Sequence, residues 1–210
     1  VFCASEHVRD NDDGVLSMWR GYGGNGKGVA IVFDTGQINV APGLTPLVIA
    51  AVRYASSDQR QQHLTKYCEN AANVLKANAI ADDKIYLAAY ALFERIKLFA
   101  LFTKHKGFDE EHEWRIVYRH EFDQSKLYEQ MFGYNIGARG VEPKLKFKVS
   151  PIPGATADDL SLEKIVCRII LGPTTSSVLA RMSVQRMLNL LKRPLLAERV
   201  AVSSIPLRSE

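Results

Sequence analysis

The segment from Ile165 to Leu171 is almost entirely apolar and ends at Gly172-Pro173. An unbroken apolar run of this length, closed by turn residues, is typical of a strand buried on both faces. It predicts a central strand, for which the rest of the chain must supply neighbours. Further strands are predicted at Val1 to Ala4, Val29 to Phe33, Leu47 to Tyr54, Trp114 to Tyr118, Leu145 to Val149 and, at a sheet edge because Pro206 follows, Val200 to Ile205.

Helical patterns occupy three places between these strands. They run from Ser56 or Ser57 to about Asn78, from Asp82 or Asp83 to about Thr103, and onward from Ser176 or Ser177. Because strands and helices do not alternate strictly, we expect an α+β fold with a mixed or mostly antiparallel sheet and packed helices. The side chains expected to face the core are Leu64, Tyr67, Cys68, Ala71 and Leu75 in the first helix, Tyr86, Tyr90, Phe93 and Phe102 in the second, and Leu179, Met182, Met187, Leu190 and Leu191 in the third.

The length and the net charge limit the classes of protein to which this chain can belong. The chain has 210 residues, of which 47% are hydrophobic, and this suffices for a single domain over residues 1–210 with its own core. The chain starts directly in strand-like sequence without a Met, so we expect the first strand or strands upstream and this chain to be the C-terminal, larger part of a slightly longer domain. The net charge of +4 is too small to predict nucleic-acid binding by itself.

Cysteine usage and the absence of a visible secretory signal predict a cytoplasmic protein with reduced, buried thiols. The apolar segment from Ile85 to Phe102 contains three charged residues, which indicates a buried soluble helix and not a membrane span. The three cysteines are widely spaced and form no CxxC pair, so neither a disulfide framework nor a zinc ribbon is predicted: Cys3, Cys68 and Cys167.

The glycine-rich segment from Gly21 to Gly28 resembles a phosphate-binding P-loop in spacing. Gly28, however, stands where a P-loop has Ser or Thr, so no hydroxyl would reach Mg²⁺. A P-loop also leads from a strand into a helix, whereas this segment leads from a helical turn into a strand. We therefore interpret it as a tight turn that precedes the strand at Val29, and we expect no nucleoside triphosphate there.

No metal site is predicted. His112-Glu113 begins a zincin-like motif, but Ile116 occupies the position of its second histidine. The five histidines show no ligand spacing with a cysteine.

Lys144, Lys146 and Lys148 alternate with apolar residues and predict a basic strand face. Lysines commonly protect an exposed edge strand from pairing with another chain. The same face could instead bind phosphate groups or nucleic acid, and both interpretations stay open.

The segment from Lys104 to Arg115 carries the most chemical information. Glu113 and Arg115 are two residues apart, so they point to the same face of the predicted strand, while Trp114 is expected to point inward. A carboxylate beside a guanidinium can form a structural salt bridge. It can equally hold a polyhydroxylated or phosphorylated ligand.

A set of motifs in this order resembles a bacterial family catalogued as a domain of unknown function, number twenty-nine seventy-one. The set comprises Phe2-Cys3-Ala4-Ser5, Asp13 before Met18-Trp19-Arg20-Gly21-Tyr22, Lys27-Gly28 to Phe33-Asp34, Lys104 with Glu111-His112-Glu113-Trp114-Arg115, and Ile165 to Pro173. Family members usually begin with a Tyr-His-Tyr-Thr-like strand and an Asn-Asp-Pro segment, and neither is present here.

The layout of that family is similar to the ADP-ribosyltransferase superfamily. The resemblance implies NAD as substrate, no metal, and Glu113 as the catalytic late-strand glutamate that stabilises positive charge as nicotinamide leaves. It further implies that Trp19 or Tyr22 stacks on nicotinamide and that Lys104 or Arg115 faces the pyrophosphate. Glu111 completes the expected ligand-binding set. Toxin and phage-defence roles follow from the same resemblance.

Two other functions stay open: a non-catalytic ligand-sensing or interaction module, and a nucleic-acid-binding domain that uses the basic strand. An enzyme requires an open cleft around Glu113 with aromatic side chains facing it. A non-catalytic module predicts that Glu113 is sealed against Arg115. A nucleic-acid-binding domain predicts positive charge clustered on one face.

Overall fold

The computed structural model of the chain describes residues 1–37, 46–78, 80–138, 140–153, 156–175 and 177–207. The strands in chain order are β1 (Phe2–Ser5), β2 (Val29–Phe33), β3 (Leu47–Ala51), β4 (Arg53–Ala55), β5 (Thr103–His105), β6 (Glu113–Tyr118), β7 (Phe132–Gly137), β8 (Gly140–Leu145), β9 (Val166–Leu171) and β10 (Val200–Val202). The α-helices are α1 (Leu16–Gly21), α2 (Ser57–Ala77), α3 (Ile85–Leu101), α4 (Leu162–Ile165), α5 (Val178–Leu190) and α6 (Pro194–Glu198). Helices combine with small, mostly antiparallel sheets, which confirms the predicted α+β class.

The chain divides into two compact units. Unit one consists of Val1–Glu6 and Leu47–Tyr118, and unit two consists of His7–Pro46 and Arg119–Glu210. That residues 1–210 form a single domain stays a prediction.

The sheet of unit one has β6 at its centre, with β1 and β3 paired antiparallel on either side. Cys3 lies opposite Arg115 in this register, and Ser5 lies opposite Glu113. β4 pairs in parallel with β5 in a separate two-stranded sheet. The single strand predicted from Leu47 to Tyr54 is therefore two strands, interrupted at Val52, whose N–H donates to the carbonyl of Glu113.

α2 begins where the sequence predicted, at a capping box. The Ser56 hydroxyl accepts from the Gln59 N–H, and the Gln59 side chain accepts from the Ser56 N–H. Tyr67 meets Phe99 of α3 edge to face, with ring centroids 5.8 Å apart. The predicted inward face of α2 is only partly correct, because Leu64 and Ala71 are half-buried while Tyr67, Cys68 and Leu75 are exposed.

The core-facing side of α3 differs from the prediction. Tyr86, Tyr90 and Phe93 are 66%, 52% and 60% exposed, so the prediction that they pack in the core was wrong. The half-buried stripe is Ala88, Leu92, Ile96 and Phe99, and Phe102 beyond the helix end is also half-buried. α3 is apolar on most sides, so spacing alone could not select between its two stripes. Among the helices of the described residues, none has the length and apolar character that crossing a bilayer requires.

The sheet of unit two has β9 at its centre, as predicted from the apolar run. β9 pairs antiparallel with β2 and parallel with β10, which lies at the sheet edge as expected. Ile170 is fully buried, at 0% exposure. The surrounding core consists of Ile165, Val166, Ile169, Leu171, Leu196 and Val200.

α5 packs on this core through a different face from the one predicted. Ser177 caps the helix by accepting from the Ala180 N–H, as expected for one of the two candidate serines. Ala180, Val184 and Leu188 contact the core. The residues predicted to face inward are all exposed, so that prediction was wrong: Leu179, Met182, Met187, Leu190 and Leu191.

β7 and β8 form an antiparallel hairpin, and the predicted strand from Leu145 to Val149 overlaps it only at Leu145. Of the three alternating lysines, Lys144 alone lies in a strand, where its Nζ pairs with Glu142 at 2.9 Å. The predicted basic strand face is therefore wrong, because the chain leaves the hairpin before Lys146. Binding of nucleic acid stays a prediction.

Candidate functional site

β6 places Glu113 and Arg115 on one face of the sheet and Trp114 on the other, as strand geometry requires. The inward face is the opposite of the predicted one. Glu113 is buried at 6% exposure, whereas Trp114 is 42% exposed, so the prediction that Trp114 anchors the strand in the core was wrong. A charged face can be buried here because Glu113 pairs with Arg115 on the same strand and with Lys104 from another segment.

Arg115 binds Glu113 through both carboxylate oxygens. Its Nε donates to Oε1 at 2.8 Å and its Nη2 donates to Oε2 at 3.1 Å. Its Nη1 donates to the carbonyl of Leu101, the last residue of α3, at 2.5 Å. The guanidinium therefore connects the face of β6 to the C-terminal end of α3, where a helix favours positive charge.

Lys104, on β5, is the second cation of the cluster. Its Nζ lies 2.5 Å from Oε2 of Glu111 and 3.2 Å from Oε2 of Glu113. The ammonium also lies 4.7 Å from the centre of the Phe108 ring, within cation–π range. Two carboxylates and two cations therefore form one cluster of zero net charge, which we call the Glu113 cluster: Lys104, Glu111, Glu113 and Arg115.

Backbone contacts hold the same cluster in place. The Glu113 N–H donates to the Tyr54 hydroxyl at 2.8 Å, and the Ser5 hydroxyl donates to the carbonyl of Glu111 at 2.6 Å. Two strands other than β6 thus bind residues of the cluster through their side chains. Neither contact was predicted, because Tyr54 and Ser5 are distant in sequence from Glu113.

The cluster keeps Glu113 ionised. Hydrogen bonds from Arg115 lower the pKa of the Glu113 carboxyl to about 2, against the opposing effect of its burial. The hydrogen bond to Glu113 in turn raises the pKa of Arg115. Burial lowers the pKa of Lys104, but its hydrogen bonds to Glu111 and Glu113 outweigh that effect and raise it overall.

Cys3 is a member of this site that the sequence did not reveal. It lies opposite Arg115 in the register of β1 and β6, and Glu113 acts on its thiol electrostatically. Partial burial of the thiol, followed by the charge of Glu113, raises its pKa. Cys3, Cys68 and Cys167 are all exposed as residues, so the prediction of buried thiols was wrong.

The carboxylate of Glu113 has little remaining hydrogen-bonding capacity. Oε1 accepts from Arg115, and Oε2 accepts from Arg115 and Lys104. A carboxylate has about four lone-pair positions. In this arrangement Glu113 is a charge-neutralised connection between strands and a helix end.

Trp19 and Tyr22, the predicted stacking residues, lie in unit two. Trp19 is buried at 4% exposure, and its indole N–H donates to the carbonyl of Asp13 at 2.8 Å. Tyr22 is 66% exposed. The structure thus brings four of the six predicted site residues together in unit one, and a ligand contact by the other two stays a prediction.

The glycine-rich segment of unit two is a turn between α1 and β2, as predicted. Its conformation depends on left-handed backbone at Asn25 and Gly26, with φ of 55° and 80°. The Gly28 N–H closes the turn on the carbonyl of Gly23 at 2.8 Å. The order of helix, turn and strand is the reverse of a P-loop.

Metal-ligating side chains do not converge in the described part of the chain. No group of three or more His, Cys, Asp or Glu residues there could hold an ion. The absence of a bound metal in the native protein stays a prediction.

The comparisons with known proteins concern the segment that contains this site. Among the curated proteins and among the solved structures, none matches the chain. A family described as a protein of unknown function (DUF2971) matches residues 18–116, which include Trp19, Tyr22 and the whole Glu113 cluster. Residues 18–116 therefore match the same family of unknown function that the sequence motifs indicated.

Proposed function

We propose that the chain is a non-catalytic interaction module in which Glu113 is a structural residue. The observation that carries this proposal is the sealed state of Glu113, whose two carboxylate oxygens bind Arg115 and Lys104 at 6% residue exposure. A catalytic carboxylate needs an oxygen that can reach the substrate. Removing the charge of Glu113 would instead take from the partly buried Arg115 its carboxylate partner on β6 and leave Lys104 paired with Glu111.

Exposed apolar surface supports an interaction role. The outward side of α3 presents Tyr86, Leu87, Tyr90 and Phe93, each more than half exposed. Large apolar side chains gathered on one helix face mark surfaces that other molecules cover.

A second candidate is an NAD-acting enzyme of ADP-ribosyltransferase type, in a toxin or phage-defence context. One observation favours it: an ionised carboxylate lies beside two cations whose side chains keep 21% and 17% exposure, those of Lys104 and Arg115. A pyrophosphate that bound both cations would release Glu113 to accept a ribose hydroxyl. The bond from ribose to nicotinamide would then break with its electron pair leaving on nicotinamide, and a nucleophile of the target would bond to the anomeric carbon.

Glu113→Gln in the full chain separates the two candidates. Thermal melting and NAD turnover per folded molecule are measured on this variant and on Glu110→Gln, an exposed neighbour that serves as control. For the interaction module we expect Glu113→Gln to melt earlier, with NAD turnover absent in the parent chain or unchanged. An unchanged melting curve with turnover reduced about a hundredfold or more would overturn the proposal in favour of the enzyme.

A further inference from the structure

α5 is apolar on two opposite faces. One face, formed by Ala180, Val184 and Leu188, packs on the core of unit two. The other face is unpartnered among the described residues, and its apolar members are exposed by 58% to 75%: Val178, Leu179, Met182 and Leu190. The outer face of a helix that only covers a core is usually polar, whereas this one mixes the polar Arg186 and Asn189 with four exposed apolar side chains.

The side chains on the outer face of α5 form ridges and a groove of the kind that pack against a second helix. Met182, Arg186 and Leu190 follow one another at intervals of four residues and form one ridge. Gln185 and Asn189 form the neighbouring ridge at the same spacing. The shallow groove between them, of about 390 Å³, is lined by these same five side chains. Helices pack by placing a ridge of one into such a groove of the other.

The charge on this face has one sign. α5 contains Arg181 and Arg186 and no acidic residue, and Lys192 follows its C-terminal end. Both arginines are exposed, and neither forms an ion pair with a residue that the structure describes. The groove thus has two apolar side chains, Met182 and Leu190, with the positive charge of Arg186 between them and the amides of Gln185 and Asn189 opposite.

We propose that the outer face of α5 docks an amphipathic helix of a partner protein, with an apolar stripe in the groove and acidic residues beside Arg181 and Arg186. This inference rests on the proposed function as an interaction module and names its partner class. The apolar stripe supplies the driving force by removing Met182 and Leu190 from water, and methionine adapts readily to different partner side chains. The charges set orientation and exclude basic partners.

Two other occupants fit less well. A second copy of this chain that paired through α5 would bring the same arginines of two basic helices together, with no acidic residue on either helix to compensate. A lipid surface would leave the Asn189 amide, which lies in the outer face, without a hydrogen-bond partner in hydrocarbon. α5 also lacks the Trp and Phe that interfacial helices place in the membrane.

The test measures binding of a fluorescent synthetic amphipathic helix, with a leucine stripe and glutamates on both margins, to the full chain. A matched peptide carries lysines in place of the glutamates. The variants Met182→Ser and Arg186→Glu are compared with Ile136→Ser and Arg9→Glu, which change exposed residues of unit two elsewhere. Circular dichroism checks that each variant is folded.

We expect the glutamate peptide to bind the parent chain and both controls, and to bind Met182→Ser and Arg186→Glu about tenfold more weakly or worse. Arg186→Glu should gain affinity for the lysine peptide, which a merely structural role of Arg186 would not produce. Equal binding of the two peptides to the parent chain, or loss of binding in the controls, would overturn the proposal.

Two further measurements address the other occupants. Binding to phosphatidylserine vesicles that depends on Met182, without peptide binding, would assign the face to lipid and overturn the proposal. If analytical ultracentrifugation shows self-association of the parent chain and Met182→Ser abolishes it, the outer face of α5 binds a second copy of the chain. That result would also overturn the proposal. Neither measurement involves NAD or Glu113, so the proposed non-catalytic role can fail or stand separately from this one.

Discussion

Arg115 and Glu113 lie two residues apart on β6 and are joined by two hydrogen bonds, from Nε to Oε1 and from Nη2 to Oε2. The same guanidinium reaches the last carbonyl of α3. A local pair on one strand thereby becomes a connection between the sheet and a helix end. The charges in this connection contribute to the free energy of unfolding, which can be measured.

Stability should depend on the charge of Glu113 in acid. The pKa of Glu113 is lowered from 4.5 to about 2 in the folded chain, so the unfolded chain binds its proton first as the pH falls. The stabilisation from this group is therefore complete above about pH 4.5 and is lost progressively as the pH falls toward 2. The difference between the two pKa values corresponds to about 3 kcal/mol in the free energy of unfolding. Urea unfolding at a series of pH values between these limits measures the effect.

Glu113→Gln should remove this acid-dependent loss and lower stability near neutral pH by about 3–5 kcal/mol, because Arg115 and Lys104 lose their shared partner. Glu110→Gln, at an exposed position, should leave the pH dependence of the parent chain intact. A Glu113→Gln chain that still lost the same stability between pH 4.5 and 2 would show that other carboxyl groups account for it.

Trp114→Ala should lower the free energy of unfolding only modestly. Replacing a tryptophan in a protein core by alanine typically lowers it by about 3–5 kcal/mol, and we expect a smaller loss here. The reason is that Trp114 lies on the outer face of the sheet and is already 42% exposed. Equilibrium unfolding in urea, compared with the parent chain, measures the difference. A cost within the core range would mean that this face of β6 is covered in solution.

Two isoleucines of neighbouring strands should differ sharply in their contribution to stability. Ile170 on β9 is fully buried, whereas Ile31 on β2 is 52% exposed. Ile170→Ala should destabilise the chain by about 2–5 kcal/mol, through lost burial and the cavity left behind. Ile31→Ala should cost about 1 kcal/mol or less. Comparable unfolding midpoints for the two variants would contradict the position of β9 at the centre of its sheet.

The Cys3 thiol should be a slow nucleophile. Partial burial and the charge of Glu113 raise its pKa, so less thiolate is present at a given pH than in the denatured chain. Alkylation by iodoacetamide at mildly alkaline pH, followed at the Cys3 peptide by mass spectrometry, should be slower in the folded chain than in urea. Glu113→Gln should accelerate it. Equal rates in the folded parent and the folded variant would exclude an influence of Glu113 on this thiol.

Local patterns predicted much of the secondary structure. The apolar run before Gly172-Pro173 became β9, and the capping box at Ser56 starts α2 because its hydrogen bonds form within a few residues. The common face of Glu113 and Arg115 follows from the two-residue period of a strand. These features depend on neighbours in sequence, so no tertiary contact was needed to infer them.

The candidate site could be predicted only in part. Lys104, Glu111, Glu113 and Arg115 were all named as site residues, and the structure joins them in one cluster. Cys3 was missed because the pairing of β1 with β6 brings it opposite Arg115 from a distant segment. Tyr54 was missed because its hydroxyl accepts from the Glu113 N–H although the two residues are far apart in the sequence. No local pattern marks such residues.

The sequence by itself determined which residues share a face of β6, α3 or α5, because backbone geometry alone sets that periodicity. Only the tertiary structure decided which face turns inward. On β6 the charged face is buried, because Glu113 pairs with Arg115 on the same strand and with Lys104 on β5, while Trp114 faces outward. α3 and α5 each carry apolar residues on more than one face. The position of the neighbouring elements selects which of these faces is buried. Burial depends on what the rest of the chain places opposite a face, and that information lies in residues far away along the sequence.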